Sequence, residues 1–249
     1  MTKLPHTIFD ISGGGPETAQ YALTLYNINE TIPLLASLLP SPTAVTDLSE
    51  FLPQHKDAYK ENRLASLFST YGSDKATTHN YYHVYSRINE EVGGIKNILE
   101  IGLGTNNPSF ISNMGVNGKP GASLRAFRDF LSETSHIYGA DVDREILFTE
   151  ARIDTSFVDQ TEPSTIDALL DQLPPLDLII DDGLHASATN LATLKSSLPR
   201  IRVGGWIVIE DISENIKPLW KVVATLLPNF TTYILRTKAA LIFAARRDA

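Results

Sequence analysis

The sequence feature that most constrains this chain is the stretch NILEIGLGT, from Asn97 to Thr105. Its first part, Ile98 to Ile101, is typical of a short buried strand, and two glycines, Gly102 and Gly104, follow it directly. Glycine allows the backbone to turn sharply and lets a ligand approach it closely. Glu100 lies inside this otherwise apolar strand, and a buried carboxylate is costly unless a partner pairs with it, so its presence indicates a function.

The remainder of the chain alternates apolar strand patterns with helical patterns. Such alternation predicts a Rossmann-like, doubly wound α/β fold, here with a mostly parallel seven-stranded sheet. The strands expected after the central one are His136–Asp143, Ser156–Asp159, Leu176–Asp182, Gly205–Asp211, Thr232–Arg236 and Leu241–Ala245. The last two are too close in sequence to enclose a crossover helix, so we expect them to be antiparallel.

The first 70 residues have a helical pattern of their own. Apolar residues recur at helical spacing from Glu17 to Leu39, prolines end that run, and a second helical stretch covers Asp57 to Tyr71. Asp47 is a candidate start of a shorter helix. We therefore expect residues 1–70 to form a helical cap or an oligomer arm, with a homodimer contact, and residues 71–249 to form the sheet domain.

Composition excludes several classes of function. The net charge is −8 and no run of lysines or arginines occurs, which argues against a nucleic-acid partner. The chain has no cysteine, which excludes disulfides and thiolate ligands. Its first residues, MTKLPHTIFDISGGG, lack the pattern of a signal peptide, and no apolar run is long enough to span a bilayer. These features predict a cytoplasmic protein with no membrane partner.

Most of the expected parallel strands end in acidic residues. These are Asp141 and Asp143, Asp159, Asp181 and Asp182, and Glu210 and Asp211. Ligands of open α/β sheets bind beyond the carboxyl ends of the strands, so we expect the functional site along this edge.

The glycine turn does not match a dinucleotide site. That fingerprint is G-x-G-x-x-G with an acid about 20 residues later. Here Asn107 occupies the position of the third glycine, and the insertion Asn106–Gly121 moves the acid Asp141 much farther along the chain. A nucleoside without a pyrophosphate fits better, with Asp141 on its ribose hydroxyls and Asp159 near its adenine amine.

The E-x-G-x-G motif, with acids ending the next two strands, resembles the class I S-adenosylmethionine-dependent methyltransferases. The motifs YGSDK…H-x-Y…Y, LEIGLG, SLRAF, GADVD, VDQ, IDDGLH and VGGWIVIED together resemble the macrocin and mycinamicin-type sugar O-methyltransferases, from about Leu67 to Ile212. The resemblance implies S-adenosylmethionine as cofactor, magnesium as metal and a small-molecule acceptor. The cofactor-binding residues that it suggests are Asp74, Lys75, Glu100, Gly102, Gly104, Arg125, Asp141, Asp143, Asp159, Gln160 and Asp181.

The same resemblance assigns the metal and the base. Its D-x-x-H motif falls on Asp182 and His185, and its strand-end acid falls on Asp211, with Glu100 as an extra ligand. Magnesium prefers such oxygen ligands. A metal would lower the pKa of a bound hydroxyl, and His185 would remove its proton as general base. Glu210 is expected on the opposite face of a regular strand and is the weaker ligand candidate.

The acceptor is left open by two departures from the family pattern. Leu184 replaces the serine of D-D-G-S-H, and the insertion Asn106–Gly121 adjoins the expected acceptor pocket. The alternatives are a sugar hydroxyl, a phenol, a catechol, or a carboxylic acid that would become a methyl ester. A hydroxylase-like relative and a non-catalytic cofactor-binding protein are further alternatives, the latter disfavoured by the set of Asp182, His185 and Asp211.

The segment Tyr71–Tyr85, YGSDKATTHNYYHVY, is dense in polar and aromatic side chains. We expect it to fold over the cofactor as a lid, with Asp74 or Lys75 near the methionine end. His79 and His83 have the spacing of a zinc-binding H-E-x-x-H helix, but its glutamate is absent. A polar loop followed by a helix is therefore the favoured interpretation of this segment.

Overall fold

A computed structural model describes residues 31–52 and 58–249. The helices are α1 (31–37), α2 (Leu48–Phe51), α3 (Ala58–Tyr71), α4 (Tyr82–Glu91), α5 (Ala122–Phe130), α6 (Pro163–Leu170), α7 (Ser187–Ser197) and α8 (Lys217–Thr225). The strands are β1 (Val45–Asp47), β2 (Asn97–Ile101), β3 (His136–Asp141), β4 (Thr149–Glu150), β5 (Ile153–Phe157), β6 (Leu176–Asp181), β7 (Ile201–Ile212), β8 (Phe230–Arg236) and β9 (Leu241–Arg247). Most of the expected first helix, Glu17–Leu39, and the start of the second lie outside the described residues.

All described strands form one sheet in the order β1-β8-β9-β7-β6-β2-β3-β5-β4. The central strands from β5 to β7 are parallel to one another, whereas β9 is antiparallel to both β7 and β8. This confirms the predicted doubly wound fold and its antiparallel terminal pair. From β2 the chain adds strands first toward β5 and then, from β6, toward the other edge, so the strand order reverses between β2 and β6.

The sheet has nine strands in the described part of the chain, two more than the sequence predicts. The additional strands lie at the two edges, where β1 pairs in parallel with β8 and β4 pairs antiparallel with β5. Strand β1 has three residues and β4 has two, and neither contains an apolar run. Their sequences therefore do not distinguish them from loops. The strand expected over Ser156–Asp159 begins earlier, because Ile153 rather than Ser156 opens the pairing with β3.

Helices cover both faces of the sheet, as strands that are apolar on both sides require. Side chains of α3, α4 and α5, among them Phe68, Tyr85 and Phe127, form the core on one face with alternate strand residues such as Ile98. Side chains of α6, α7 and α8 form the core on the other face with residues such as Leu99.

Side chains of α2 and α3, which precede the sheet domain, are part of its hydrophobic core. Phe51 of α2 makes edge-on contacts with Trp206 and Tyr233, and Leu64 and Phe68 of α3 are fully buried. The proposed division at residue 70 stays a prediction. No described helix combines the length and the apolar character that crossing a membrane requires.

Candidate active site

The site begins where the strand order reverses, the position at which open α/β sheets bind ligands. Ile101 at the end of β2 pairs with Asp181 at the end of β6, and the amide of Asp182 donates to the carbonyl oxygen of Ile101 over 2.8 Å. Gly102 has a φ of 101°, and a Cβ there would lie 2.1 Å from the carbonyl oxygen of Asp182. Only glycine therefore allows the turn after β2 to approach the strand end of β6.

The turn is held to the next strand by Asp141. Its two carboxylate oxygens accept hydrogen bonds from the backbone amides of Leu103 at 2.7 Å and Asp143 at 2.9 Å. These bonds fix the carboxylate at the carboxyl end of β3, where it lines the cleft described next. A carboxylate so fixed retains acceptor capacity for ligand hydroxyls.

A cleft of about 320 Å³ opens above these strand ends. Residues predicted for the site that line it are Asp74, Lys75, Gly102, Gly104, Asp141, Asp159, Gln160, Asp182, His185 and Asp211. The insertion forms one wall through Phe110, Ile111, Ser112, Met114 and Lys119. Met114 packs directly on the glycine turn, since a Cβ on Gly104 would lie 1.8 Å from its sulfur.

The cleft lining lacks four of the predicted cofactor residues, namely Glu100, Arg125, Asp143 and Asp181. Arg125 pairs with Glu150 at 2.8 Å. Asp143 is buried and accepts from the Thr105 hydroxyl, and Asp181 is buried and accepts from the side-chain amide of Gln160 at 2.8 Å. These side chains support the cleft walls, a role that their motif positions alone do not distinguish from ligand contact.

Lys75 is the centre of a buried charge cluster. Its ammonium lies 2.6 Å from Oδ2 of Asp182, 2.5 Å from Oε2 of Glu210 and 3.2 Å from Oε1 of Glu100, and the residue is only 1% exposed. Burial by itself lowers the pKa of the Lys75 ammonium, but the surrounding carboxylates raise that pKa well above its usual value. Lys75 therefore carries a positive charge at the strand ends.

Two carboxyl groups beside Lys75, those of Asp182 and Glu210, have pKa values that are shifted in opposite directions. Burial raises the pKa of Asp182, but the charge and hydrogen bond of Lys75 oppose burial, and the pKa is lowered overall. Burial and the charge of Asp182 raise the pKa of Glu210 well above its usual value, against the opposing effect of Lys75. Asp182 is thus held in its ionised form beside Lys75, whereas the surroundings of Glu210 favour its protonated form.

Asp182, His185 and Asp211 together form a potential metal site. Their candidate ligand atoms all lie within 4.8 Å of one another. Nε2 of His185 lies 3.9 Å from Oδ1 of Asp182 and 3.7 Å from Oδ2 of Asp211. The two carboxylates fit a hard divalent cation such as magnesium, which prefers oxygen ligands.

A backbone irregularity brings Asp211 to this group. Asp211 has a φ of 53° and lies at a register shift between β7 and β9. The expectation that Glu210 and Asp211 point to opposite faces assumed a regular strand, and the left-handed residue removes that regularity. Glu210 is nevertheless engaged elsewhere, because Lys75 and the hydroxyl of Tyr85 donate to its two oxygens.

Glu100 is likewise engaged by its neighbours. One of its oxygens accepts from the Ser123 hydroxyl at 2.7 Å and the other lies beside the Lys75 ammonium. Glu100 is fully buried and is not among the cleft-lining residues. These contacts with Ser123 and Lys75 explain why an acid is present inside β2. The assignment of Glu100 as an extra metal ligand stays a prediction.

Two tyrosines to which the sequence analysis assigned no role, Tyr81 and Tyr85, complete the acidic edge. The Tyr81 hydroxyl donates to Oδ1 of Asp211 over 2.5 Å, and the Tyr85 hydroxyl donates to Glu210. Burial and the nearby acids raise the pKa of both phenols, so both remain proton donors. Their only sequence signal was the H-x-Y…Y pattern in the segment Tyr71–Tyr85, whose histidines were considered as zinc ligands instead.

Comparison with known proteins agrees with this architecture. A family model described as a methyltransferase domain matches residues 116–212. That stretch is therefore similar to a methyltransferase domain. Over 75% of its length, the chain superimposes with a TM-score of 0.60 and 22% identity on 54% of the MycE methyltransferase from the mycinamycin biosynthetic pathway, a structure in complex with Mg, SAH and mycinamycin VI.

Curated relatives confirm the resemblance to macrocin and mycinamicin-type O-methyltransferases. The chain is 29% identical over 162 residues to 8-demethyl-8-alpha-L-rhamnosyl tetracenomycin-C 2'-O-methyltransferase of Streptomyces olivaceus, covering 64% of this chain and 40% of that protein. It is 33% identical over 137 residues to demethylmacrocin O-methyltransferase of Streptomyces fradiae, covering 55% of this chain and 31% of that protein. The chain thus spans less than half the length of these two curated relatives.

Proposed function

We propose that this chain is an S-adenosylmethionine-dependent O-methyltransferase that modifies a hydroxyl group of a small natural product, with help from magnesium. The observation that carries the proposal is one cleft lined by both the glycine turn with Asp141 and the group of Asp182, His185 and Asp211. The glycine turn with Asp141 suits a nucleoside cofactor, and the group of Asp182, His185 and Asp211 suits activation of an acceptor. The relatives whose printed names describe sugar or macrolide O-methylation support this choice of substrate class.

The cofactor would lie along the strand ends. Its methionine part would lie beside the turn of Gly102 and Gly104, Asp141 would bind the ribose hydroxyls, and Asp159 would lie near the adenine amine. S-adenosylmethionine supplies the reactive methyl group in this chemistry. The cleft residues contribute binding and orientation, and orientation of the reacting atoms provides a large part of the rate in a methyl transfer.

Asp182 and Asp211 would hold magnesium, which supplies positive charge beside the acceptor oxygen. His185 would accept the hydroxyl proton through Nε2, the atom that faces both carboxylates. A general base in such a position contributes roughly 10²–10⁴-fold to rate. The Lys75 ammonium keeps Asp182 ionised, which maintains the negative charge that the cation needs.

The direct test measures S-adenosylhomocysteine formation with a panel of glycosides, phenols and carboxylic acids, with magnesium and after exhaustive chelation. We expect turnover of a hydroxyl acceptor that chelation abolishes and magnesium restores. Full activity after chelation would contradict the role of the metal. Turnover confined to carboxylic acids would instead support the alternative of methyl-ester formation, and no turnover with bound cofactor would favour a non-catalytic protein.

We also propose that the N-terminal helices form a homodimer contact. Leu34, Leu35 and Leu38, in and just after α1, are 60%, 44% and 78% exposed in the structure. Light scattering after size-exclusion chromatography should report a dimer for the full chain and a monomer for Leu35→Glu combined with Leu38→Glu. A monomeric wild-type protein would contradict the proposal.

A further inference from the structure

The segment between α3 and α4 contacts both carboxylates of the candidate metal site. Lys75 binds Oδ2 of Asp182, and Tyr81 donates to Oδ1 of Asp211. The oxygens left free of these bonds, Oδ1 of Asp182 and Oδ2 of Asp211, are the ones nearest to Nε2 of His185. Each of the two carboxylates thus has one oxygen bonded to this segment and the other facing His185 in the candidate metal site.

His79 is a third contact of this kind. Its Nδ1 lies 3.6 Å from Oδ1 of Asp211, and its ring stacks on Tyr81 with centroids 4.4 Å apart. The residue is 8% exposed, and Nδ1 has no hydrogen-bond partner among the described residues. A buried polar atom without a partner is costly, and this one faces a carboxylate at slightly more than hydrogen-bond distance.

We propose that His79, together with Tyr81, is a positioning residue for Asp211 in the magnesium site. The inference rests on the proposed function, because it assumes that Asp211 binds the cation. Tyr81 and His79 both approach Oδ1, so they fix the rotation of the carboxylate and leave Oδ2 for the cation. Carboxylates that bind metals are commonly held by such outer hydrogen bonds, and losing one costs about 10–100-fold in metal affinity.

The ring atom that faces Asp211 makes the proposal specific. On the other side of the ring, Nε2 lies 3.7 Å from Asp74. An asparagine at position 79 can place its amide nitrogen close to the position of Nδ1, whereas a glutamine places it close to Nε2. A role confined to packing would instead favour glutamine, because its side chain is closer in size to histidine than that of asparagine.

The test titrates Mn²⁺ into the full chain and follows free Mn²⁺ by electron paramagnetic resonance. We expect His79→Ala and Tyr81→Phe to weaken Mn²⁺ binding by about tenfold or more, His79→Asn to restore it to within about threefold, and His79→Gln to restore it much less. His83→Ala is the matched control, because this ring lies against Glu61 and Tyr82 and should leave the affinity unchanged. Affinity for S-adenosylmethionine, measured by calorimetry, should be unchanged in every variant.

Wild-type affinity for Mn²⁺ in His79→Ala and Tyr81→Phe, or equal affinity in His79→Asn and His79→Gln, would overturn the positioning role and leave the proposed function intact. A wild-type protein that binds S-adenosylmethionine but no Mn²⁺ would overturn the metal site and this inference together. If His79→Ala does not fold, the asparagine and glutamine variants still decide the question, since each keeps a planar polar side chain in the buried position.

Discussion

The ammonium of Lys75 lies 2.6 Å from a carboxylate oxygen of Asp182, which joins the loop before the first central strand to the end of a strand 107 residues later. Lys75 is buried, and the same ammonium also contacts Glu210 and Glu100. The loop is therefore attached to the acidic edge of the sheet by charge as well as by packing.

Replacing Lys75 by methionine should destabilise the fold strongly. Removing one partner of a buried ion pair leaves uncompensated charge and typically costs about 3–5 kcal/mol. Lys195→Met, on the exposed side of α7, is the control and should change the free energy of unfolding by less than about 0.5 kcal/mol. Urea denaturation measures both, and equal stabilities for the two variants would contradict the structural role of Lys75.

Glu210 should make stability depend on pH. Burial and the charge of Asp182 raise the pKa of this carboxyl in the folded protein. A group with a raised folded pKa contributes its full stability below the unfolded pKa of about 4.3 and loses it as the pH rises through the folded value. Urea denaturation from about pH 4 to about pH 8 should therefore show Glu210→Gln gaining stability relative to wild type as the pH increases. A difference in unfolding free energy between the two proteins that stays constant over this pH range would contradict the raised pKa of Glu210.

His185→Ala should lower the turnover number by roughly a hundredfold or more if His185 is the general base. The Michaelis constant for S-adenosylmethionine should change little. His136→Ala serves as control, because His136 pairs with Asp154 at the opposite, amino end of β3. Steady-state kinetics decide the matter, and full activity of His185→Ala would indicate a carboxylate acceptor, whose oxygen is already ionised at neutral pH.

The segment Tyr71–Tyr85 should become more protected when the cofactor binds. Ser73, Asp74 and Lys75 line the cleft, whereas Thr77 and Thr78 are exposed. Limited proteolysis with a protease of broad specificity should cut this segment more slowly after S-adenosylmethionine is added. Cleavage at the turn near Leu226, which precedes β8 and lies at the other end of the sheet, should be unaffected. Equal cleavage of the segment with and without cofactor would contradict the lid.

Much of the fold could be predicted because its central strands are short apolar runs that end in glycine or acid. The run before Gly102 and the run before Asp181 both show this pattern, and they prove to be neighbours. The edge strands β1 and β4 were not predicted, because strands of two or three residues are too short to show an alternation of apolar and polar residues. Long-range pairing, rather than local propensity, forms them.

The candidate site was predictable only in part. Acids at strand ends indicated where Asp141, Asp182 and Asp211 would converge, because parallel strands end at one edge. The pairing of Lys75 with these acids could not be derived, since a lysine in a polar loop usually faces water. The left-handed backbone of Asp211 also has no sequence signal, because a non-glycine residue adopts it rarely and only where its surroundings require it.

The central claim is that the cleft binds S-adenosylmethionine through the glycine turn and Asp141, and calorimetric titration tests it without knowledge of the acceptor. We predict binding of S-adenosylmethionine and of S-adenosylhomocysteine to the wild-type chain, loss of both in Asp141→Ala, and retention of both in Asp211→Asn. Tighter binding of NAD than of either ligand, or unchanged affinity in Asp141→Ala, would contradict the account.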